Sequence, residues 1–334
     1  MYCGVFKKDF NLGFHRPKKY QCDFCQKFLA AEGDQKDSKK EQMEQHLKNK
    51  NLAIQIKESH NARAQADSHI NVSCYDLQQV LTTPQTLSSQ LFYRRKLSTY
   101  NLTVFDIGKT RGFCYMWHEG VGKRGATNVA SSSCVWRYMV DRCFEADCKE
   151  FVFFTDNCGG SNKNKFIAVM YLHAVRTLSV ERICHIFLER GHTENEGVSV
   201  HATIERAARR TNVYAPLQWY TLAGVAKKTG NPYSVFEMEG HMLNFKPVSD
   251  YYCKYLQEEV SAKCPDWTKI RGLVVEKDKP DLLFVKYCFE EERYTQVHIG
   301  RNQTTSTFGP VPVLPKDSSV TDPKNKTSST CVTS

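Results

Sequence analysis

Two aspartates each close a hydrophobic stretch of the chain, and they are the residues most suited to metal chemistry. Asp106 ends the run LTVFD at residues 102–106, and Asp156 ends the run EFVFFTD at residues 150–156. If these strands are neighbours in a mixed sheet, the two carboxylates face each other across one strand spacing of about 5 Å. Such carboxylates repel unless a cation lies between them, so the pair predicts a Mg²⁺ or Mn²⁺ site. The alternative interpretation is that each aspartate is a turn residue at a strand end.

A Cys-x-x-Cys pair near the N-terminus is the second candidate metal site. Cys22 and Cys25 need two more ligands to complete a tetrahedral zinc site, and His46 follows further along the chain. The candidates for the fourth ligand are His15, His60 and Cys3. The competing interpretation is a reduced pair of ordinary thiols, because the spacing differs from that of common zinc fingers.

The elements that must position the two aspartates follow from hydrophobic patterning. Residues 102–106 and 112–117 predict a β-hairpin, and a third strand is expected around residues 126–130. The elements expected after it are a helix to about residue 148, a strand at 150–156, a helix at 162–178, a strand at 182–188 and helices at 194–210 and 215–228. This alternation predicts an α/β fold with a mixed sheet flanked by helices.

The composition along the chain divides it into five parts. They are a basic Cys/His-containing segment at 1–70, a linker at 71–98, the core at 99–240, a β-rich extension at 241–300 and a disordered tail at 301–334. Within the first part, the Lys/Glu/Gln-rich run at residues 34–57 predicts a solvated helix. If the cysteine pair binds zinc, this part becomes a small basic module; without metal it has little fixed structure.

Net charge and cysteine usage restrict the partners and the compartment. The chain carries 46 Lys+Arg against 36 Asp+Glu, a formal charge of +10, which favours a polyanionic partner such as DNA. Its 14 cysteines are dispersed and no secretory signal precedes them, so we expect a nuclear or cytoplasmic protein rather than a secreted one. The longest apolar stretch is about half of the ~20 residues that a bilayer span needs, so no membrane partner is expected. Self-association into a homo-oligomer is left open.

Three sequence blocks carry a resemblance to a known family. They are LTVFD at 102–106, FFTDNCGGSNKN at 153–164, and LERGHTENE at 188–196 followed by His201, Ile204 and Glu205. In this order they resemble the transposase-derived, RNase H-like domain of unknown function that recurs in many animal genomes. The resemblance implies an RNase H-like core and a DDE/D-type metal-dependent nuclease or transposase, or a host protein descended from one. It makes Asp106 and Asp156 the first two catalytic acids.

The resemblance expects the third acid on the helix that follows the last core strand. Where relatives carry Asp, this chain has Val198. On a regular helix Glu194 and Glu205 share the face of Val198, whereas Glu196 lies about 200° away and fits a capping box. An irregular first turn at Gly197 would bring Glu196 back. The third catalytic acid therefore stays open among these three glutamates.

Two functional hypotheses follow. The first is a transposon-derived protein that cleaves or joins DNA with Mg²⁺ or Mn²⁺, and the pair Asp106 and Asp156 favours it. The second is a domesticated adaptor that binds nucleic acid or protein and has lost the chemistry, and Val198 favours it. A third hypothesis, a gene-model fragment without a function of its own, comes from the abrupt start near the cysteine pair and the unpatterned tail.

Overall fold

A ten-stranded mixed sheet forms the centre of the molecule. The computed structural model describes residues 22–86, 95–121, 127–157, 162–192, 195–252, 265–299 and 308–314. The first five strands are β1 (Ile70–Leu77), β2 (Leu81–Thr83), β3 (Leu97–Asp106), β4 (Arg111–His118) and β5 (Glu150–Thr155). The other five are β6 (Arg182–Phe187), β7 (Ser234–Glu237), β8 (Gly272–Glu276), β9 (Leu282–Lys286) and β10 (Thr295–His298).

Helices cover both faces of this sheet. They are α1 (Asp23–Leu29), α2 (Asp34–Asp37), α3 (Lys40–Ala66), α4 (Thr127–Ala146), α5 (Lys165–Thr177), α6 (Glu196–Ala208), α7 (Pro216–Val225) and α8 (Lys246–Tyr252). One face packs against α4, α5 and α8, and the other packs against α3, α6 and α7. The predicted α/β class, with a mixed sheet flanked by helices, is confirmed. No helix in the described ranges has both the length and the apolar character needed to cross a bilayer.

The strand order places β1 inside the sheet, between β5 and β3. The order is β10-β9-β8-β6-β5-β1-β3-β4-β7, with β2 paired to β3. β1 runs parallel to β5, and β5 runs parallel to β6, whereas β3 runs antiparallel to both of its neighbours, β1 and β4. β8 to β10 continue the sheet beyond β6, so the predicted β-rich extension adds strands to the core sheet.

The central strands are buried on both faces. On β5, Phe151 and Phe153 enter the core beneath α4 and α5, while Val152 and Phe154 enter the core beneath α3. This burial explains why β5 reads as a continuous apolar run, as strands covered on both sides do. The predicted β5 and the predicted β3–β4 hairpin are both confirmed.

Two predicted elements near the core differ from the structure. The strand expected around residues 126–130 is wrong, because the chain is helical from Thr127 onward. Ala130, Cys134 and Tyr138 recur every fourth residue and are buried together, which is the periodicity of a helix face.

The predicted linker at 71–98 is also wrong in its first part, because it contains the central strand β1. Its polar residues disguise it: Asn71 and Ser73 are buried and hydrogen-bonded to each other, with further bonds to Asp106 and Tyr138. A buried polar group with a partner costs little, so this strand does not need an apolar sequence.

The ends of the described chain also pack on the core. The predicted helix at 34–57 corresponds mainly to α3, and it is only partly solvated, since Ala53 is buried against the sheet. In the predicted disordered tail, residues 308–314 are held by backbone bonds, from Leu314 N to Met242 O at 2.7 Å and from Asn244 N to Pro312 O at 2.8 Å. The rest of the predicted tail lies outside the described residues.

Candidate metal centres

Four potential metal ligands converge between α1, α3 and the loop that follows β6. The ligand atoms of Cys22, Cys25, His46 and His192, hereafter the Cys/His cluster, all lie within 4.8 Å of one another. Cys22 Sγ lies 3.3 Å from His46 Nε2, and Cys25 Sγ lies 3.3 Å from His192 Nε2. Two thiolates and two imidazoles form a donor set that Zn²⁺ accepts in tetrahedral geometry.

The ligands of the Cys/His cluster come from three separate segments. Cys22 and Cys25 lie at the start of α1, and His46 lies on α3. His192 belongs to the loop between β6 and α6, far away in sequence. The structure therefore brings together the three ligands that the sequence favoured and adds one from the core.

The fourth potential ligand among the described residues is His192, which was not a candidate taken from the sequence for this site. His60 lies elsewhere on α3, with its Nδ1 3.1 Å from Arg63 Nη1 and its ring against Phe154. His15 and Cys3 lie outside the described residues. His192 is supplied by a tertiary contact, which local ligand spacing does not reveal.

A carboxylate contacts the ring nitrogen of His46 that does not face the cysteines. Glu189 Oε1 lies 3.5 Å from His46 Nδ1, and Glu189 Oε2 lies 3.2 Å from Arg271 Nη2. A carboxylate on the second ring nitrogen fixes the tautomer and orientation of a ligating histidine. Glu189 therefore leaves His46 Nε2 directed at the two cysteines.

A glycine permits the close approach of α1 to the core. Gly191 has φ +76°, and a Cβ at this position would lie 2.6 Å from Cys22 Cβ and 2.7 Å from Cys22 Cα. Both the backbone conformation and the contact therefore require glycine. Burial, and after it the neighbouring Cys22, raises the pKa of the Cys25 thiol, so a metal that binds here must displace its proton.

A second candidate centre lies where β1 and β5 end. The register pairs Cys74 with Phe154, so Asp76 and Asp156, two residues further along each strand, are level at the same edge of the sheet. Parallel neighbours lie about 4.8 Å apart. Burial, followed by the charge of Asp156, raises the pKa of Asp76 to about 7. We call this pair of carboxylates the acid edge.

Asp106, predicted as the partner of Asp156, lies at the opposite edge. β3 is antiparallel to β1, and β1 separates it from β5, so the prediction that the two carboxylates face each other is wrong. Asp106 Oδ2 accepts a bond from Asn71 Nδ2 at 2.9 Å, and Oδ1 accepts one from Lys109 N at 2.9 Å. These contacts fit the alternative interpretation, in which Asp106 stabilises a turn.

The loop after β5 is fixed by side-chain hydrogen bonds. Asn162 Nδ2 donates to Asp156 Oδ1 at 2.5 Å. Lys163 Nζ donates to Asn157 Oδ1 at 2.6 Å and to Thr268 O at 2.9 Å. Burial, followed by the charges of nearby arginines, lowers the pKa of Lys163 to about 8. This network orients the Asp156 carboxylate.

The N-terminus of α6 lies against the acid edge. Asn195 caps the helix at Gly197 N and donates from Nδ2 to Tyr75 O at 3.3 Å. A Cβ on Gly197 would lie 3.8 Å from Asp76 Cβ, and Val198 follows in the same turn. The helix that should bring the third acid therefore does lie beside Asp76.

None of the predicted third acids completes a set of three carboxylates in the described part of the chain. Glu196 accepts bonds from Lys57 Nζ at 2.7 and 2.8 Å and from Cys74 Sγ at 3.1 Å. Glu205 Oε1 accepts a bond from Gln78 Nε2 at 3.4 Å. Glu194 lies outside the described residues. Among the described residues, no three acids have their oxygens within 4.8 Å of one another.

Sequence reasoning missed Asp76 and did not connect His192 with the cysteine pair. Asp76 lies near the end of β1, a strand with polar residues that patterning assigned to a linker. Its signal was that it stands, like Asp156, just after a residue that ends a buried stretch. His192 sits in the GHTE segment of the chain, and its signal was only its histidine type beside a glycine.

Comparison of the chain with protein-family models, with curated proteins and with solved structures gives no match. The resemblance to transposase-derived domains therefore stays a prediction.

Proposed function

We propose that this chain is a transposon-derived, RNase H-like protein that acts on DNA by metal-dependent phosphodiester cleavage or strand transfer, with Asp76 and Asp156 as its metal ligands. One observation carries the proposal: the two carboxylates are level at the carboxyl ends of neighbouring parallel strands. Asp76 replaces Asp106 as the first acid.

The sheet supports the RNase H-like part of this proposal. Three antiparallel strands, β1, β3 and β4, are followed by β5 and β6, which return parallel to β1 on its other side. α6 then carries the chain back to the end of β1. This succession is the one expected when the first acid lies on the central strand and the second follows β5.

The chain's own residues prepare the acid edge for a divalent cation. Partial burial and the charge of Asp156 make Asp76 release its proton less readily than an exposed aspartate does, so a cation between the two carboxylates would favour the ionised form of Asp76. Asn162 holds one oxygen of Asp156. Mg²⁺ or Mn²⁺ bound there would activate a water or a 3′-hydroxyl and stabilise the leaving oxygen.

The Cys/His cluster is proposed to hold a structural Zn²⁺ rather than the reactive cation. Four protein ligands close a tetrahedral site and leave no position for a substrate. Such a zinc ion would fasten α1 and α3 to the loop of His192. The described cysteines are all free thiols, which supports a reducing compartment, nuclear or cytoplasmic, for this proposal.

Mn²⁺ binding to the full chain tests the acid edge. Calorimetry should show saturable binding that Asp156→Asn and Asp76→Asn each abolish, and a DNA cleavage assay with Mn²⁺ should lose activity in the same two variants. Asp106→Asn is the matched control, since it removes a buried carboxylate from the other edge and should leave Mn²⁺ binding unchanged. Binding that survives in Asp156→Asn, or that Asp106→Asn alone removes, contradicts the proposed site.

A second candidate function is a nucleic-acid- or protein-binding adaptor without catalysis. It is favoured by Val198 beside the acid edge and by Lys57, which engages the carboxylate of Glu196. For this function, Mn²⁺ binding and cleavage should be absent from the natural chain and should appear in Val198→Asp, which restores a third carboxylate.

A further inference from the structure

A cavity of about 720 Å³ opens beside the Cys/His cluster, between α1, α3 and the loop that precedes α6. α1 contributes Phe24 and Lys27, α3 contributes Asn49, and the loop contributes Arg190. Its volume lies in the range of roughly 300–1,000 Å³ that small-molecule sites occupy. The acid edge is not among its lining residues.

Three cations line this cavity. Lys27 and Arg190 are exposed, and no ion pair engages either of them within the described residues. Arg271 pairs with Glu189 through Nη2, but its Nη1 is buried without a hydrogen-bond partner among the described residues. The two exposed cations that line one cavity, Lys27 and Arg190, favour an anionic ligand, and a guanidinium group suits the geometry of a phosphate.

Amide side chains of α3 also line this cavity. Gln42, Gln45 and Asn49 follow each other at spacings of three and four on α3, so they lie on one helix face. Gln45 Nε2 donates to Asn49 Oδ1 at 3.1 Å and to Glu290 Oε1 at 3.1 Å. These bonds leave Gln45 Oε1 as an acceptor and Asn49 Nδ2 as a donor.

An adjacent acceptor and donor match the edge of a nucleobase, as amide side chains do in nucleic-acid recognition. The ring of Phe24, which contacts His46 edge-on at 5.2 Å between centroids, supplies an aromatic surface at the same cavity. The cavity therefore offers cations for a phosphate, amides for a base edge and a ring for base contact.

We propose that this cavity binds a nucleoside phosphate, with the phosphate at Arg190 and Lys27 and the base at Asn49 and Phe24. The ligand is either a free mononucleotide or one nucleotide unit of single-stranded DNA. The choice of a nucleotide rests in part on the proposed function, but the cavity acts in binding alone and needs neither Asp76 nor Asp156.

Fluorescence anisotropy with the zinc-loaded full chain and a short, 3′-labelled, 5′-phosphorylated single strand tests the cavity. Arg190→Ala should weaken binding about tenfold, as expected for a lost charged hydrogen bond. Arg210→Ala is the matched control: it removes the same charge from an exposed arginine at the end of α6 and should change affinity less than twofold. Equal weakening by both variants overturns the proposal, because it indicates only a general charge effect.

Competition identifies the source of the ligand and the role of the base. If dAMP displaces the labelled strand from the cavity, the ligand is a free mononucleotide. If the strand stays bound in excess dAMP, the ligand is one nucleotide unit of single-stranded DNA. Asn49→Leu should weaken the binding of dAMP and leave the binding of inorganic phosphate unchanged. Equal competition by dAMP and inorganic phosphate in the natural chain overturns the base contact. Asp156→Asn should bind the strand as the natural chain does, so failure of the cavity and failure of the acid edge are distinguishable.

Discussion

The two candidate metal centres differ in how completely the chain encloses a cation. The Cys/His cluster has four ligands from three segments, a carboxylate behind His46 and a glycine that lets Cys22 approach. The acid edge has two carboxylates and a valine where the resemblance expects the third, so the described residues supply fewer ligands there than at the cluster. A closed ligand set holds a metal for structure, whereas an open one leaves coordination positions for water and substrate. This difference is the basis for proposing an anchoring role for the cluster and a reactive role for the acid edge.

The largest expected effect is on zinc retention, and it comes from a side chain at position 191 that keeps Cys22 away from the core. Gly191→Ala should abolish zinc retention after gel filtration, because the added Cβ would lie 2.6 Å from Cys22 Cβ. The matched control is Gly240→Ala, which has nearly the same φ, +77°, but no heavy atom within 4 Å of the new Cβ. It should cost only the left-handed backbone strain of about 1–2 kcal/mol and keep its zinc.

Elemental analysis measures the zinc content of both variants. The rate of proteolysis within α1–α3 reports whether these helices have detached from the core. Equal zinc content in the two variants would show that the contact with Cys22 does not control the cluster.

The next effect in size is the pH dependence that Asp76 gives to the free energy of unfolding. An unfolded aspartate ionises near pH 3.8, whereas burial and Asp156 raise the pKa of folded Asp76 to about 7. Between these values the unfolded chain loses a proton that the folded chain keeps, so the free energy of unfolding falls as the pH rises. Asp76→Asn cannot ionise and should become more stable than the natural chain by about 2–4 kcal/mol above pH 7, with no difference near pH 4.

Urea unfolding at pH 4, 6 and 8 checks this expectation. Asp278→Asn, which changes a carboxylate that is 71% exposed, is the control and should follow the natural chain at every pH. Mn²⁺ at pH 8 should stabilise the natural chain and leave Asp76→Asn unchanged. A difference between Asp76→Asn and the natural chain that does not vary with pH would contradict the assigned pKa.

The smallest effect concerns Lys57, which links α3 to the first turn of α6. Lys57 and Glu196 are 17% and 34% exposed, whereas Lys48 and Glu290, another pair that α3 makes with the core, are 57% and 38% exposed. Lys57→Gln should lower the free energy of unfolding by about 1 kcal/mol, and Lys48→Gln by less than about 0.5 kcal/mol. Chemical denaturation measures both. Equal losses would mean that burial does not strengthen the Lys57 pair.

Lys57→Gln also sharpens the question of the third acid. If Glu196 is the third ligand of the acid edge, its release from Lys57 should strengthen Mn²⁺ binding, and Lys48→Gln should not. Unchanged Mn²⁺ binding in Lys57→Gln would remove Glu196 from the candidates for the third acid. Glu194 and Glu205 would remain, and Val198→Asp would show the effect of an added carboxylate.

Patterning located the most apolar strands and missed β1, whose buried residues are partly polar. β5 is recognisable because Phe151, Phe153 and Phe154 fill cores on both faces. β1 lies inside the sheet between β5 and β3, yet Asn71 and Ser73 are buried in it through hydrogen bonds that only the assembled fold provides. Missing β1 also meant missing Asp76 and pairing Asp156 with the wrong aspartate.

The sequence by itself determined the α/β class and most helices, and it pointed to the candidate acid Asp156 and to three of the four potential ligands in the Cys/His cluster, because each of these can be recognised from residue types and local pattern. Tertiary structure alone decided which strands are neighbours, and therefore that Asp76 rather than Asp106 meets Asp156. It also supplied His192 to the cluster. The physical reason is common to both: strand order and direction arise from packing of the whole core, and they place side chains together that local periodicity cannot relate.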